Sequence, residues 1–350
     1  MEAVRWHAAG DLRFEDVELA LPLGPGMIEV EVAYCGICGS DLAEFRHPFA
    51  IRPDKVHPLT GQQPPVTLGH EFSGTVTAIG DGVDQVTVGD RVSADACWRC
   101  GECKACVEGR YNQCLYSGSI GLSSDGAFAS VVRFPAYCAV PLPDGVSDEV
   151  GSLLEPLAVG LHALDRGHAR AGERLVVIGY GPVGAATALL GRSLGLDPLV
   201  CELSPGRLAR AAAHGFETHA PEPEKRDFAK AVRGLTGGGA GIIVDCTGAV
   251  PALEAALEMS ERGGRIVCAG IPKKPVAVDA GRMVLYEREL IATLGYANDL
   301  PRVAAMIASG ALDPSVMITN RIALADVPAE IESMAADPRD EVKVLAEVRS

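Results

Sequence analysis

The chain has 350 residues, a formal net charge of −15 and a pI near 5.0, with 48% hydrophobic and 22% charged residues. That length holds roughly two domains with sizeable cores, and the acidic balance argues against nucleic acid or an anionic membrane as partner. The opening MEAVRWHAAGDLRF has no secretory h-region, no stretch reads as a bilayer span, and eleven cysteines suit a reducing compartment, so a soluble cytoplasmic protein with clustered, metal-binding cysteines is expected.

Residues 1–35 alternate short β-like runs with turns, and Met27–Ala33 alternates polar and apolar as a half-buried strand does. It leads into Tyr34-Cys-Gly-Ile-Cys-Gly-Ser-Asp-Leu42, where Cys35 and Cys38 form a C-x-x-C that need not be one metal pair. Residues 66–92 contain Gly69-His-Glu71 with Gly74 and close on Gly89-Asp-Arg-Val92. A lone histidine is ordinarily structural. His70 stands beside an acid, downstream of a Cys-Gly-Ser-Asp and upstream of a glycine motif, and that combination marks a site.

Five cysteines follow between 97 and 114, one too many for a single tetrahedral zinc. Cys100, Cys103, Cys106 and Cys114 give C-x2-C-x2-C-x7-C, whereas a frame begun at Cys97 puts the fourth ligand on Tyr111, which offers no thiolate. Four thiolates leave no open position, so the site is structural and Cys97 is left over. An iron–sulfur centre or a nucleic-acid-binding finger is the competing reading.

Residues 118–143 read as short strands and turns closing a β-rich domain. Gly151–Leu164 is apolar with one acid, Glu155, which serves either the helix N-terminus or a site. Arg174–Ile178 then reads as a buried parallel strand, Gly179-Tyr-Gly-Pro-Val-Gly184 as a G-x-G-x-x-G turn, Ala185–Leu194 as a helix, and Pro198–Glu202 as a second strand ending in an acid. This is the dinucleotide-binding unit. Gly179 permits the tight turn, Gly181 lets the backbone approach a pyrophosphate, and Gly184 lets the helix pack on the strand. The helix N-terminus offers its positive end to the phosphates, with Pro182 and Val183 of the turn among the cofactor-binding residues. Glu202 would accept from a ribose 2′-OH, which prefers NAD to NADP, and Arg207 softens that preference. The charged stretch 221–230 is expected to be exposed. Ile242–Gly248 and Gly263–Ile271 repeat the strand pattern and place Thr247, Gly248, Gly270 and Ile271 beside the cofactor.

Cys38-Gly-Ser-Asp41, Gly69-His-Glu71 with Gly74, and Gly89-Asp-Arg-Val92 resemble the zinc-containing medium-chain alcohol and polyol dehydrogenases, and the likeness runs over nearly the whole chain. The resemblance implies an α/β protein in two parts. A GroES-like β-rich catalytic domain would cover 1–155 and 295–350, with a structural zinc lobe at about 97–114 and Val342–Val348 as its closing strand. A Rossmann doubly wound parallel-sheet domain would cover 156–294. Within the family Cys38 and His70 match catalytic zinc ligands, Ser40 the hydroxyl that relays the substrate proton, and Asp41 an acid behind the ligands. Glu155 falls where the alcohol dehydrogenases place a third cysteine ligand and the polyol branch has Glu; either Glu71 or Glu155 binds zinc directly or holds a zinc water. Cys35 then reads as a small buried residue.

The likeness further implies two zinc ions per chain, one catalytic and one structural, NAD as cofactor, hydride exchange between an alcohol carbon and the nicotinamide in the cleft between the domains, and a homodimer or homotetramer. Val56–Glu71, Ile120–Ser123 and Leu153–Ala158 are most similar to the 2,3-butanediol dehydrogenase group, which acts on vicinal diols and acetoin-like hydroxyketones. That group usually reads Cys-Gly-Ser-Asp-Leu-His. Here Ala43 removes a possible relay histidine and leaves water, His47 or His57 to pass the proton on. A dehydrogenase of sorbitol, threonine or a cyclitol, and a catalytically silent zinc- and NAD-binding protein, are the other readings.

Overall fold

The alternation after residue 26 becomes the strand Met27–Gly36, whose Ile28, Val30 and Val32 are fully buried. In a computed structural model describing residues 1–19, 22–337 and 340–349, this strand is central to a mixed sheet. The order is Ala139–Pro141, Arg91–Ala94, Glu71–Ile79, Met27–Gly36, Lys343–Glu347, Ile318–Ala323, and Val131–Pro135 also pairs with the central strand. The register sets Gly36 opposite Glu71 on one side and Leu345 on the other. A smaller sheet joins Asp11–Asp16, Glu2–Ala8 and Val66–Thr67. Trp6, Phe72, Phe128 and Phe134 fill the core, Phe72 meeting Phe134 edge-on with centroids 5.5 Å apart. The helix Val327–Ala336 adds Val327, Ile331 and Met334 to that core.

The chain divides into two units, Met1–Glu155 with Leu300–Ser350, and Pro156–Asp299. The second is built on a sheet whose pairings are all parallel, in the order Glu217–His219, Asp197–Cys201, Arg174–Ile178, Ala240–Asp245, Ser260–Cys268, Glu289–Ala292. Numbered along the chain, this is 3-2-1-4-5-6, the doubly wound order with its reversal between Arg174–Ile178 and Ala240–Asp245. Parallel strands buried on both faces explain the unbroken Leu-Val-Val-Ile and Ile-Ile-Val runs.

The charged stretch expected to be exposed corrects in part. Lys225–Leu235 is a helix that buries Phe228, Ala229 and Val232 in the sheet's core while Lys225, Arg226, Asp227 and Lys230 face solvent. The i, i+4 apolar pair is hidden in sequence by the density of charges around it. No helix among the described residues is long and apolar enough to cross a membrane.

Candidate active site and metal centres

The central strand of the first unit ends at Gly36, and the helix Gly39–Arg46 begins two residues later with Cys38 at its N-cap. The Asp41 Oδ2 accepts the Cys38 N–H at 2.9 Å, which fixes the cap and sets Cys38 at the positive end of the helix. His70 immediately precedes the neighbouring strand, which opens with Glu71. Cys38, His70 and Glu71 each offer a ligand atom within 4.8 Å of the others. Ser40 Oγ lies 3.2 Å from His70 Nε2, and Asp41 Oδ1 lies 3.7 Å from His70 Nδ1.

Asp41 Oδ1 and His70 Nδ1 are buried and face each other without a hydrogen bond, and Glu71 Oε1 is buried with no hydrogen-bond partner, which is costly unless something else meets it in the site. Burial pushes the Asp41 carboxyl up to about 6, against the pull of His70 and the Cys38 N–H. Burial alone would lower His70, but Cys38 and Asp41 outweigh it and hold the imidazole well above its ordinary value. The cluster therefore favours a cation. One sulfur, one imidazole and one carboxylate, with Asp41 behind the histidine, fit zinc. Glu155, in the first turn of the helix Leu154–Arg166, is 9% exposed. Its charge is felt at His70, but it stands outside the three-residue cluster.

Two residues of this region escape sequence reasoning. Lys343 opens the strand Lys343–Glu347 and is fully buried. Its Nζ donates to the Ile37 carbonyl at 2.9 Å and to Glu71 Oε2. Burial pulls this ammonium down, yet Glu71 and Cys38 outweigh it and its pKa stands above the usual lysine value. The only sequence signal is a single cation inside Val342-Lys-Val-Leu-Ala346. Glu44 is also fully buried, and its carboxylate accepts the N–H groups of Phe49 at 3.2 Å, Ala50 at 2.7 Å and Ile51 at 3.2 Å, which shapes the turn after the helix. Cys35 is buried, and burial pushes its thiol well up.

Of the histidines available in place of Ala43, His47 is exposed. His57 Nδ1 accepts the Leu59 and Thr60 N–H groups at 3.4 and 3.3 Å, and Nε2 donates to the Ser117 carbonyl at 3.2 Å. Both His57 nitrogens are thus committed to backbone, which makes it a staple between two loops and a poor proton carrier.

The second cluster in this unit is the four-cysteine lobe. The sulfurs of Cys100, Cys103, Cys106 and Cys114 lie within 4.8 Å of one another, with Cys100 to Cys114 at 3.5 Å and Cys100 to Cys106 at 4.0 Å. Tetrahedral zinc with bonds of about 2.3 Å sets its sulfurs roughly 3.8 Å apart, so the donor set fits. Backbone N–H groups point at these sulfurs, Cys103 N–H at Cys100 Sγ and the Cys100 and Tyr116 N–H groups at Cys114 Sγ, each at 3.4 Å. Cys97 is outside the cluster, its thiol pushed well up by burial and by Asp95.

In the second unit the strand Arg174–Ile178 runs into Gly179, at φ +92, and Gly181 caps the helix Pro182–Ser193. A Cβ on Gly184 would strike the Gly179 carbonyl, whereas one on Gly181 would meet only Arg207 Nη1, at 3.9 Å. The backbone at Gly181 is therefore open on the side where a pyrophosphate would lie, over the helix N-terminus. Glu202, 8% exposed, follows the next strand and accepts the Tyr180 N–H at 2.6 Å and the Ser204 N–H at 2.8 Å. Each carboxylate oxygen keeps capacity for a ribose hydroxyl.

At the end of Ala240–Asp245, the Asp245 carboxylate accepts the Thr247 N–H at 3.0 Å and hydroxyl at 2.6 Å, and the Gly248 N–H at 3.2 Å. Gly248 lies backbone-to-backbone with Gly270 and Ile271, and the Thr247 methyl packs against Gly179. Gly179, Thr247, Gly248 and Gly270 thus meet at the carboxyl edge where the strand order reverses, with Ile271 72% exposed beside them.

Residues 24–144 match the alcohol dehydrogenase GroES-like domain, and residues 182–309 match the zinc-binding dehydrogenase domain. The chain belongs to the zinc-containing medium-chain alcohol and polyol dehydrogenases, oxidoreductases with a GroES-like and a Rossmann domain that work with zinc and a nicotinamide cofactor. In sequence it is similar to the (R,R)-butanediol dehydrogenase of Bacillus subtilis, 34% identical over 349 residues and 99% of each chain. It is also 33% identical over 276 residues to a sorbitol dehydrogenase of Halalkalibacterium halodurans, 77% of this chain and 76% of that one. The crystal structure of 2R,3R-butanediol dehydrogenase from Bacillus subtilis matches with a TM-score of 0.92 at 32% identity, covering 99% of both chains. A Sinorhizobium meliloti 1021 protein solved with NADP matches at 0.88 and 28% identity, again over 99% of both.

Proposed function

We propose that this enzyme interconverts a secondary alcohol or vicinal diol of the 2,3-butanediol type and its hydroxyketone of the acetoin type, with NAD as hydride carrier. The observation that carries the reading is the gathering of Cys38, His70 and Glu71 within 4.8 Å, with Ser40 Oγ 3.2 Å from His70. Cys38, His70 and Glu71 hold the catalytic zinc, Glu155 stands by as a further carboxylate, and Cys100, Cys103, Cys106 and Cys114 hold a structural one, two ions per chain. Zinc bound there supplies the Lewis acidity that lowers the pKa of a substrate hydroxyl.

The chain's own groups do the rest. The Ser40 hydroxyl accepts the proton leaving the alcohol as the carbon-bound hydrogen departs as hydride to the nicotinamide. Ala43 provides no imidazole and His57 is committed to backbone, so the proton passes from Ser40 to water. Glu202, buried and locked by two backbone amides, repels a 2′-phosphate and selects NAD. Gly179, Gly181 and Gly184 with Pro182 and Val183 seat the pyrophosphate, Thr247 and Gly248 lie near the cofactor, and Gly270 and Ile271 border the nicotinamide.

Homodimer or homotetramer formation in the cytoplasm completes the reading. Among the described residues Glu289–Ala292 is a terminal strand of its sheet with Leu290 39% exposed, and the helix Ala280–Tyr286 before it exposes Val284 and Leu285 at 78% and 73%. Such an unpaired, apolar edge suits a second copy.

NADH formation on 2,3-butanediol, sorbitol and threonine tests the reading. Turnover should be highest on butanediol, vanish with a chelator and return with zinc, and metal analysis should find two zinc ions per chain. Full metal and bound NAD without turnover on any alcohol would instead mark a catalytically silent protein.

A further inference from the structure

A lysine with no exposed surface is expensive, since its ammonium loses water and must be repaid by a close anion and further hydrogen bonds. Lys343 has both, in Glu71 Oε2 and the Ile37 carbonyl. Yet Lys343 and Glu71 are not on neighbouring strands. Met27–Gly36 runs between Lys343–Glu347 and Glu71–Ile79, and the residue of that strand opposite Glu71 is Gly36. A Cβ on Gly36 would collide with Glu71 Oε2 and lie 3.2 Å from Lys343 Cδ. The lysine therefore crosses an entire strand through the gap left by a missing side chain.

Its two partners flank the metal cluster. Ile37 precedes Cys38, and Glu71 follows His70. The contact uses one Glu71 oxygen and leaves the other, Oε1, buried without a hydrogen-bond partner. A methionine would fill the same channel without desolvating a charge, so packing alone gives no reason for a cation here.

We propose that Lys343 is a positioning residue of the catalytic metal centre: it holds Glu71 by one oxygen so that the other is presented toward Cys38 and His70, and its ammonium stands in for the metal's charge until the metal arrives. This rests on the reading of Cys38, His70 and Glu71 as the ligand set. With the metal absent, the Lys343 ammonium remains against Glu71 Oε2 while Oε1 lies buried without a hydrogen-bond partner. A metal held there would find Glu71 Oε2 already engaged by the ammonium and Oε1 without a hydrogen-bond partner.

The test compares Lys343→Met and Lys343→Arg with the unsubstituted enzyme, each melted metal-free and zinc-loaded, and each loaded with cobalt. The thiolate-to-cobalt absorption that disappears in Cys38→Ser reports the catalytic site apart from the four-cysteine lobe. Lys343→Met should lower the melting temperature of the metal-free protein by about 10 °C more than that of the loaded one, because an uncompensated buried carboxylate is relieved only by the metal. The Cys38-dependent cobalt band should shift, and Lys343→Arg should restore both readings in large part.

If Lys343→Met does not fold, Lys343→Met with Glu71→Gln should, since neutral partners need no counter-charge, and its zinc-induced stabilisation should fall below that of the unsubstituted enzyme. Equal losses with and without metal, an unmoved cobalt band, or a double variant as stabilised by zinc as the parent would reduce Lys343 to a staple of the sheet. Absence of any Cys38-dependent band in the unsubstituted enzyme would overturn the ligand assignment itself, and the proposal with it.

Discussion

Gly181 and Gly184 belong to one motif, yet the space around them differs, and so should the consequences of adding a methyl. At Gly184 a Cβ would run into the Gly179 carbonyl, which is backbone and cannot swing aside. Gly184→Ala should therefore push the helix Pro182–Ser193 off its strand and cost stability, about 2 kcal/mol by comparison with other overpacked cores. At Gly181 the nearest group is the flexible end of Arg207 at 3.9 Å, and φ is −74, which any residue adopts. Gly181→Ala should leave the melting temperature within a degree or two and instead weaken NAD binding about tenfold or more, because the methyl projects where the pyrophosphate must approach. Thermal melts beside cofactor titrations read the two effects apart. Equal loss of stability in both variants would mean that the open side of Gly181 is not where the cofactor lies.

At the scale of elements, the four-cysteine lobe is tied to the β-rich unit by more than its sulfurs. The Arg99 guanidinium, one residue before the first ligand, lies between the rings of Tyr111 and Tyr137, 4.1 and 4.5 Å from their centroids. It also sits 3.2 Å from Asp95 Oδ2, which accepts the Tyr111 hydroxyl at 2.6 Å. Burial raises the Asp95 carboxyl, so this charge needs its partners. Arg99→Ala should destabilise the unit by about 2 kcal/mol through the lost cation–π and charged hydrogen bonds, and zinc should leave the lobe faster to a chelator, measurable by a thiol-insensitive zinc dye. Unchanged release would show that the thiolates alone hold the lobe in place.

The contrast between sulfurs and anchor marks what sequence can show. The four-cysteine frame, the Cys38-to-Asp41 and His70-Glu71 pairs and the glycine turn each lie within a few residues of chain, where donor type and spacing speak for themselves. The strand-turn-helix-strand order of the second unit was legible for the same reason. Lys343 was not, because it meets Glu71 across 272 positions and an intervening strand, and nothing local distinguishes it from a surface lysine. Glu44 was missed likewise: its meaning lies in three backbone N–H groups beyond the helix, invisible until the turn is formed.

At the scale of the molecule, the two units differ in how the chain supplies them, and this predicts how fragments behave. Pro156–Asp299 is one continuous segment containing all six strands of its sheet. The other unit needs both ends of the chain. Its strand Lys343–Glu347 pairs with Met27–Gly36 and with Ile318–Ala323, and the helix Val327–Ala336 delivers Val327, Ile331 and Met334 to a core shared with Val4 and Trp6. Expressed alone, 156–299 should fold cooperatively and bind NAD. A 1–155 fragment should not, because Met27–Gly36 would lose its antiparallel neighbour there, the core would lack several large side chains at about 1.5–3 kcal/mol each, and Glu71 would be buried without Lys343. Adding a 300–350 peptide, with zinc, should recover ordered structure in the 1–155 fragment by circular dichroism and amide exchange. A 1–155 fragment that melts cooperatively without the peptide would mean that the C-terminal strand decorates this sheet and does not complete it.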